Sequence, residues 1–149
     1  MWYLATIEDV ATRQIIAHQI GKNHNSQLVL LLLQQAFRTG AQPMLFHSDQ
    51  GTEFMAQRCT DFLEQLGIQI SVSDVASPWQ NGYQESFFGC FKEEFGDPNR
   101  FESVGALIEA IYHQIQYYNH KRIHTAVKMP PSVFARQFYS GNSFYELGT

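Results

Sequence analysis

Cysteine is scarce in this chain of 149 residues, and what is scarce narrows the reading first. Cys59 and Cys90 are the only two and form no CxxC pair, which argues against a disulfide framework or a zinc finger. Both sit among apolar residues and are expected to be buried thiols in a reducing compartment. Long apolar runs are missing as well. The longest, Leu28 to Leu33, has six residues, too few to cross a bilayer. Met1 is not followed by a signal-peptide pattern. The expected location is cytoplasmic, with no membrane partner. Positive charge is short too: ten Lys and Arg stand against fourteen Asp and Glu, a net charge of −4. That excludes a chain that wraps nucleic acid by overall basicity, but not a local basic patch. Lys121, Arg122 and Lys128 lie close together with His120 and His124. Charged residues make up only 16%, whereas hydrophobic residues reach 44% and aromatic ones 14%. Disorder is therefore not expected over most of the chain, and one domain is the natural expectation.

What is present alternates between strand and helix patterns. Trp2 to Ile7 and Gln14 to Ile20 are β-prone runs on either side of a polar turn, and form an expected hairpin. Asn25 or Ser26 can cap a helix to about Arg38, apolar all round at Leu28 to Leu33 and so expected to be deeply buried. Pro43 to Phe46 reads as a short buried strand. A helix follows from about Thr52 to Leu66, with Phe54, Phe62, Leu63 and Leu66 inward and Gly67 stopping it. Ile68 to Val72 alternates like a strand. After the loop SDVASPWQNG come two helices, about Tyr83 to Phe95 and Ser103 to Asn119. The first carries a stripe of Phe87, Phe88, Phe91 and Phe95. The second carries Val104, Leu107, Ile108, Ile111, Ile115 and Tyr118 at helical spacing. Pro131 is allowed in the first turn of a last short helix. The pattern predicts an α/β layered domain, in which functional residues gather at the carboxyl ends of parallel strands.

Asp49, in HSDQGTEF, falls at such a strand end. A turn-capping role is the commoner one for an Asp in that place. Glu85 falls near the start of a helix, where the dipole suits an anionic side chain. Lys92 is two turns further along the same face, and Gly89 between them leaves that face open. Two carboxylates from a strand end and a helix start suit a hard cation, Mg²⁺ or Mn²⁺.

HSDQGTEF and SPWQNGYQESFFGCFKEEF together resemble the catalytic core of DDE transposases. The resemblance is closest to bacterial insertion-sequence transposases related to retroviral integrases. Asp49 and Glu85 have thirty-five residues between them, a spacing typical of that family. YLATIEDVATRQIIAHQI is similar to the family's second and third strands, and YNHKRIHTAVKMPPSVF to the segment after its core. The resemblance implies a ribonuclease-H-like α/β fold, a mixed sheet flanked by helices. It implies residues 1–138 as the core, amino-terminally truncated and with a C-terminal helical extension, followed by a tail at 139–149. It implies metal-dependent DNA cleavage and strand transfer with Asp49 and Glu85 as catalytic residues and metal ligands. Lys92, Trp79, Asn81, Lys121 and Arg122 become the expected DNA contacts, with anchoring of its loop on the core the equal alternative for Trp79; transposon ends and target DNA are the expected partners and a homo-oligomer the assembly. The loop SPWQNG is expected to be mobile without DNA.

The family's triad needs a further Asp, on a central first strand that this sequence does not contain. Asp9 is of the right type but matches a turn position. With two carboxylates for two ions, weak or single metal binding and little or no activity are expected of this chain alone. The strand corresponding to the second is expected to pair with the one before Asp49, or a partner chain to fill the gap, because unpaired edges are costly. Three other readings remain open. They are a non-catalytic DNA-binding or assembly relic, another metal nuclease of the same fold, and a glycoside hydrolase using the two acids. His113, His120 and His124 lack nearby acid or thiol partners and read as a solvated or DNA-facing cluster. Glu53 reads as a helix-start acid, Glu93 and Glu94 as a solvated face, and His47 as a strand-end stabiliser.

Overall fold

The computed structural model describes residues 2–38, 45–48, 56–72 and 82–141. The chain divides into two compact units. The first comprises Met1–Ile7, Ile16–Gly82 and Gly141–Thr149, the second Glu8–Ile15 and Tyr83–Ser140.

Strands β1 (Tyr3–Glu8) and β2 (Ile15–Gly21) pair with each other. Their connection is too short for a parallel crossover, which takes about a dozen residues, so they form the expected hairpin. Helix α1 (Ser26–Phe37) starts at Asn25, whose side chain accepts the Leu28 amide at 3.1 Å. The apolar run in it is buried on one side only. Leu28, Val29, Leu32, Leu33 and Phe37 are buried, while Leu31 is 42% exposed, so the expectation of burial all round does not hold. The turn geometry of 3.6 residues carries Leu31 away from the core.

Strand β3 (Leu45–Ser48) and strand β4 (Gln69–Val72) pair in parallel, Leu45 opposite Gln69 and Ser48 opposite Val72. Helix α2 (Gln57–Gln65) makes the crossover between them. It ends in a Schellman turn. Gly67 has φ +75°, its amide donates to the Glu64 carbonyl at 3.0 Å, and the Ile68 amide donates to Leu63 at 3.0 Å. The core of this unit joins Ile7 and Ala17 of the hairpin, Val29, Leu32, Leu33 and Phe37 of α1, Cys59 and Leu63 of α2, and Ile68. Each fully buried side chain of this kind stabilises by about 1.5–3 kcal/mol. Phe62 and Leu66 pack on it part-buried, as expected, while Phe54 lies outside the described residues.

Among the described residues the strands form two separate two-stranded sheets, so the expected pairing of β1 with β3 is not made. The pairs that are made follow from the connections. A short turn lets β2 satisfy β1 locally, and a crossover helix brings β4 beside β3.

In the second unit, helix α3 (Gly82–Phe95) buries Phe87, Phe91 and Phe95. A 3₁₀ turn at Pro98–Arg100 follows, then α4 (Val104–His120), capped by Ser103, whose hydroxyl accepts the Ala106 amide at 3.1 Å. Helix α5 (Pro131–Gly141) takes Pro131 in its first turn, and extends past residue 138, where the tail was expected to begin. An edge-on ring pair ties α3 to α4, Phe87 against Tyr118 at 4.9 Å, while within α3 Phe91 stacks on Phe95 at 5.0 Å. Of the expected α4 stripe, Ile111, Ile115 and Tyr118 are buried, but Val104 and Ile108 are exposed. Burial of the helix begins only at its third turn.

Candidate functional site

Glu85 stands in the first turn of α3 and is exposed. Gly89 and Lys92 follow one and two turns on, both exposed. A Cβ at Gly89 would meet no atom within 4 Å. The three residues thus share an open face, opposite the Phe87, Phe91 and Phe95 stripe, as the sequence predicts. The helix is held by its apolar side, which leaves the Glu85 carboxylate and the Lys92 ammonium available to a ligand.

The hairpin turn belongs to the same unit as α3. Its chain reversal is closed by two backbone bonds, Asp9 amide to Gln14 carbonyl at 2.8 Å and Arg13 amide to Asp9 carbonyl at 2.7 Å. Asp9 accepts the Ala11 amide at 3.0 Å and the Tyr139 hydroxyl, and so acts as the turn residue the sequence suggests. The turn is also pinned to α4. The Asn119 side chain accepts the Ile15 amide and donates to the Ile15 carbonyl, both at 2.9 Å. Arg13 has φ +68° and lays its guanidinium over the Tyr83 ring, 3.7 Å from the centroid. Glu8, read from the sequence as part of a polar turn, instead closes β1 with Oε1 buried. Burial pushes its carboxyl up to about 8; the Arg13 charge opposes this and the Asp9 charge adds to it. Burial likewise pushes the Tyr118 phenol up, and the Glu8 charge adds to the effect. Continuing the strand's alternation past Ile7 would have extended β1 to Glu8. No sequence signal pairs Arg13 with Tyr83.

The basic segment is only partly free. Arg122 Nε donates to Glu94 Oε2 at 2.8 Å, and Gln114 reaches Glu94 Oε1 at 3.4 Å. The bond to Glu94 raises the Arg122 pKa further. Glu94, like Glu93, is exposed as expected, and it is also engaged, because a cation from the segment after α4 folds back onto it. Lys121, just past α4, is exposed. His124 Nδ1 accepts the Ala126 amide at 3.1 Å, and burial, with Arg13 and Arg122 nearby, lowers its pKa. His113 lies 3.5 Å from Glu109 on the surface of α4. Among the described residues, no three His, Cys, Asp or Glu side chains gather as a metal group. Cys59 is buried as expected, but Cys90 is only half-buried.

Asp49, Glu53, Trp79 and Asn81 lie outside the described residues, as does most of the loop expected to be mobile. His47 is described through the backbone of β3. Asp49 follows directly on Ser48, the last residue of β3, so in sequence it adjoins the carboxyl end of a parallel strand. No described helix is long and apolar enough to cross a membrane.

Comparison with known proteins agrees with this arrangement. The integrase core domain family matches residues 1–78, and a second integrase core domain family matches residues 66–131. A transposase-like protein of Haemophilus influenzae is 36% identical over 128 residues, covering 85% of this chain and 59% of that protein. The transposase for insertion sequence element IS904 of Lactococcus lactis is 32% identical over 128 residues, covering 84% of this chain and 51% of its own length. The chain thus spans little more than half the length of these curated relatives. The catalytic core domain of HTLV-2 integrase, solved in complex with magnesium, superposes with a TM-score of 0.66 at 15% identity, covering 89% of this chain and 93% of that one. The fold is that of retroviral integrase catalytic cores, the ribonuclease-H-like α/β fold. With its first 78 residues matched by that family's pattern, the chain belongs to the integrase core domain family.

Proposed function

We propose that this chain is the catalytic core of a transposase, a DDE polynucleotidyl transferase that cleaves DNA and transfers a strand. The observation that carries the reading is the open face of α3, with Glu85 and Lys92 side by side. In the sequence it is joined by Asp49, separated from Glu85 by thirty-five intervening residues and directly after β3. The partners would be the transposon ends and target DNA, bound by a homo-oligomer in the cytoplasm. Lys92, Lys121, Arg122, Trp79 and Asn81 would contact the nucleic acid, with Arg122 first released from Glu94.

The donors fit a hard divalent cation, Mg²⁺ or Mn²⁺. Glu85 offers an exposed carboxylate on a face with room beside it, and Asp49 is a second oxygen donor. When bound, such ions activate the attacking oxygen and stabilise the leaving oxygen of a phosphodiester. Lys92 would hold a phosphate as a point charge. Asp9 does not complete a third carboxylate, because its oxygens serve the Ala11 amide and the Tyr139 hydroxyl. Two carboxylates leave a two-ion site short of negative charge, so this chain alone would bind metal weakly or singly and cleave little.

The test is Mn²⁺ binding and DNA binding by the purified 149-residue chain. Wild type should bind Mn²⁺ weakly, and Asp49→Asn and Glu85→Gln should each abolish that binding. Lys92→Ala should weaken binding to a short DNA duplex. Mn²⁺ affinity indifferent to both carboxylate changes would overturn the proposed site. Nicking or strand transfer by the unaltered chain would refute the idea that two carboxylates are too few.

A further inference from the structure

The residue in the hairpin turn with positive φ is an arginine, where a glycine would cost nothing. Arg13 has φ +68°, in the left-handed region that L side chains enter at about 1–2 kcal/mol. A turn of this shape ordinarily places glycine there. The side chain must therefore offset the strain it imposes, and the structure indicates where. Its guanidinium lies 3.7 Å from the centroid of the Tyr83 ring, with Nη1 buried and without a hydrogen-bond partner among the described residues. Tyr83 is in the first turn of α3, two residues before Glu85. The turn that carries Arg13 is itself fixed, by Asn119 holding both polar groups of Ile15 and by Tyr139 on Asp9. The first turn of α3 needs such a brace. The buried stripe that holds the helix begins only at Phe87, beyond Glu85, and first turns lack half their backbone partners.

We propose that Arg13 is a positioning residue for Glu85, clamping the first turn of α3 through the Tyr83 ring. The role of Glu85 rests on the function proposed above; the clamp itself does not. Planarity matters as well as charge: the guanidinium lies over the ring face, an arrangement a lysine ammonium cannot reproduce by stacking.

The experiment is amide hydrogen exchange on the full 149-residue chain without metal. Phe87, Phe88 and Gly89 are read, since their helical amides donate to the carbonyls of Tyr83, Gln84 and Glu85. Arg13→Gly removes the guanidinium and relieves the backbone at once. A residue serving only the turn would leave exchange unchanged or slowed on this substitution. The clamp predicts exchange at these three amides faster by roughly three- to thirtyfold. Tyr83→Ala should do the same, the double variant should do no more, and Tyr83→Phe, which keeps the ring, should match wild type. Unchanged exchange in Arg13→Gly, or acceleration spread evenly through α4 and α5, overturns the clamp. Mn²⁺ affinity measured on the same variants should fall with the loosened turn, and unaltered affinity alongside faster exchange would refute the link from clamp to Glu85. If Glu85→Gln itself leaves Mn²⁺ binding intact, the proposed function fails while the exchange result still decides the clamp.

Discussion

Asn119 is a buried polar side chain that ties α4 to the first residue of β2 within the second unit. It is 4% exposed and makes two bonds of 2.9 Å to Ile15, one to its amide and one to its carbonyl. Ile15 is equally buried, so water cannot readily replace the amide side chain. Asn119→Ala leaves a buried donor and a buried acceptor unpaired, each costing about 1–3 kcal/mol. A total of about 3 kcal/mol is expected, or a fall of roughly 1–3 M in the urea midpoint for ordinary slopes. Circular dichroism on urea unfolding measures the total, and exchange at the Ile15 amide locates it. Asn119→Asp sharpens the test. An ionised carboxylate can still accept from the Ile15 amide but faces its carbonyl with no donor. The protonated acid can satisfy both. The folded state then holds the proton more tightly than the unfolded one, so stability should be best in acid and fall as pH rises. A loss below about 0.5 kcal/mol for Asn119→Ala would refute the argument. So would an Asn119→Asp variant whose stability relative to wild type ignores pH.

Two further perturbations follow from geometry. Glu8 has its carboxyl raised from 4.5 to about 8, chiefly by burial, so between those values the folded chain keeps a proton that the unfolded chain has released. Its contribution is complete below the lower value and is lost as pH rises to the upper one, by at most about 1.4 kcal/mol per pH unit. Urea midpoints from pH 5 to 8 should therefore decline in wild type, and the decline should be smaller in Glu8→Gln; identical profiles count against the buried carboxyl. Gly67→Ala should cost about 1 kcal/mol in thermal unfolding, purely through its φ of +75°, since no atom lies within 4 Å of the added methyl. A neutral substitution there would mean that the Schellman turn does not end α2.

The candidate site was legible in proportion to how local its signals are. The open face of α3 could be read directly, because Glu85, Gly89 and Lys92 are related by helical spacing and the Phe stripe fixes which side is buried. The cap at Asn25 and the stop at Gly67 are equally local. The exposure of Leu31, Val104 and Ile108 was not legible, since an apolar residue in a helix does not say whether another element reaches it.

The order of elements, the hairpin and the spacing of the two carboxylates were determined by the sequence alone, whereas the pairing of β3 with β4 rather than with β1 was decided by the tertiary structure. Each rests on periodicity, turn chemistry or residue identity over short distances. Only the tertiary structure decided that Arg122 is held by Glu94, that Asp9 is engaged by Tyr139, that Asn119 closes the end of β2, and that Arg13 covers Tyr83. These partners are separated by 28 to 130 residues, and only packing selects among the many polar groups a sequence offers.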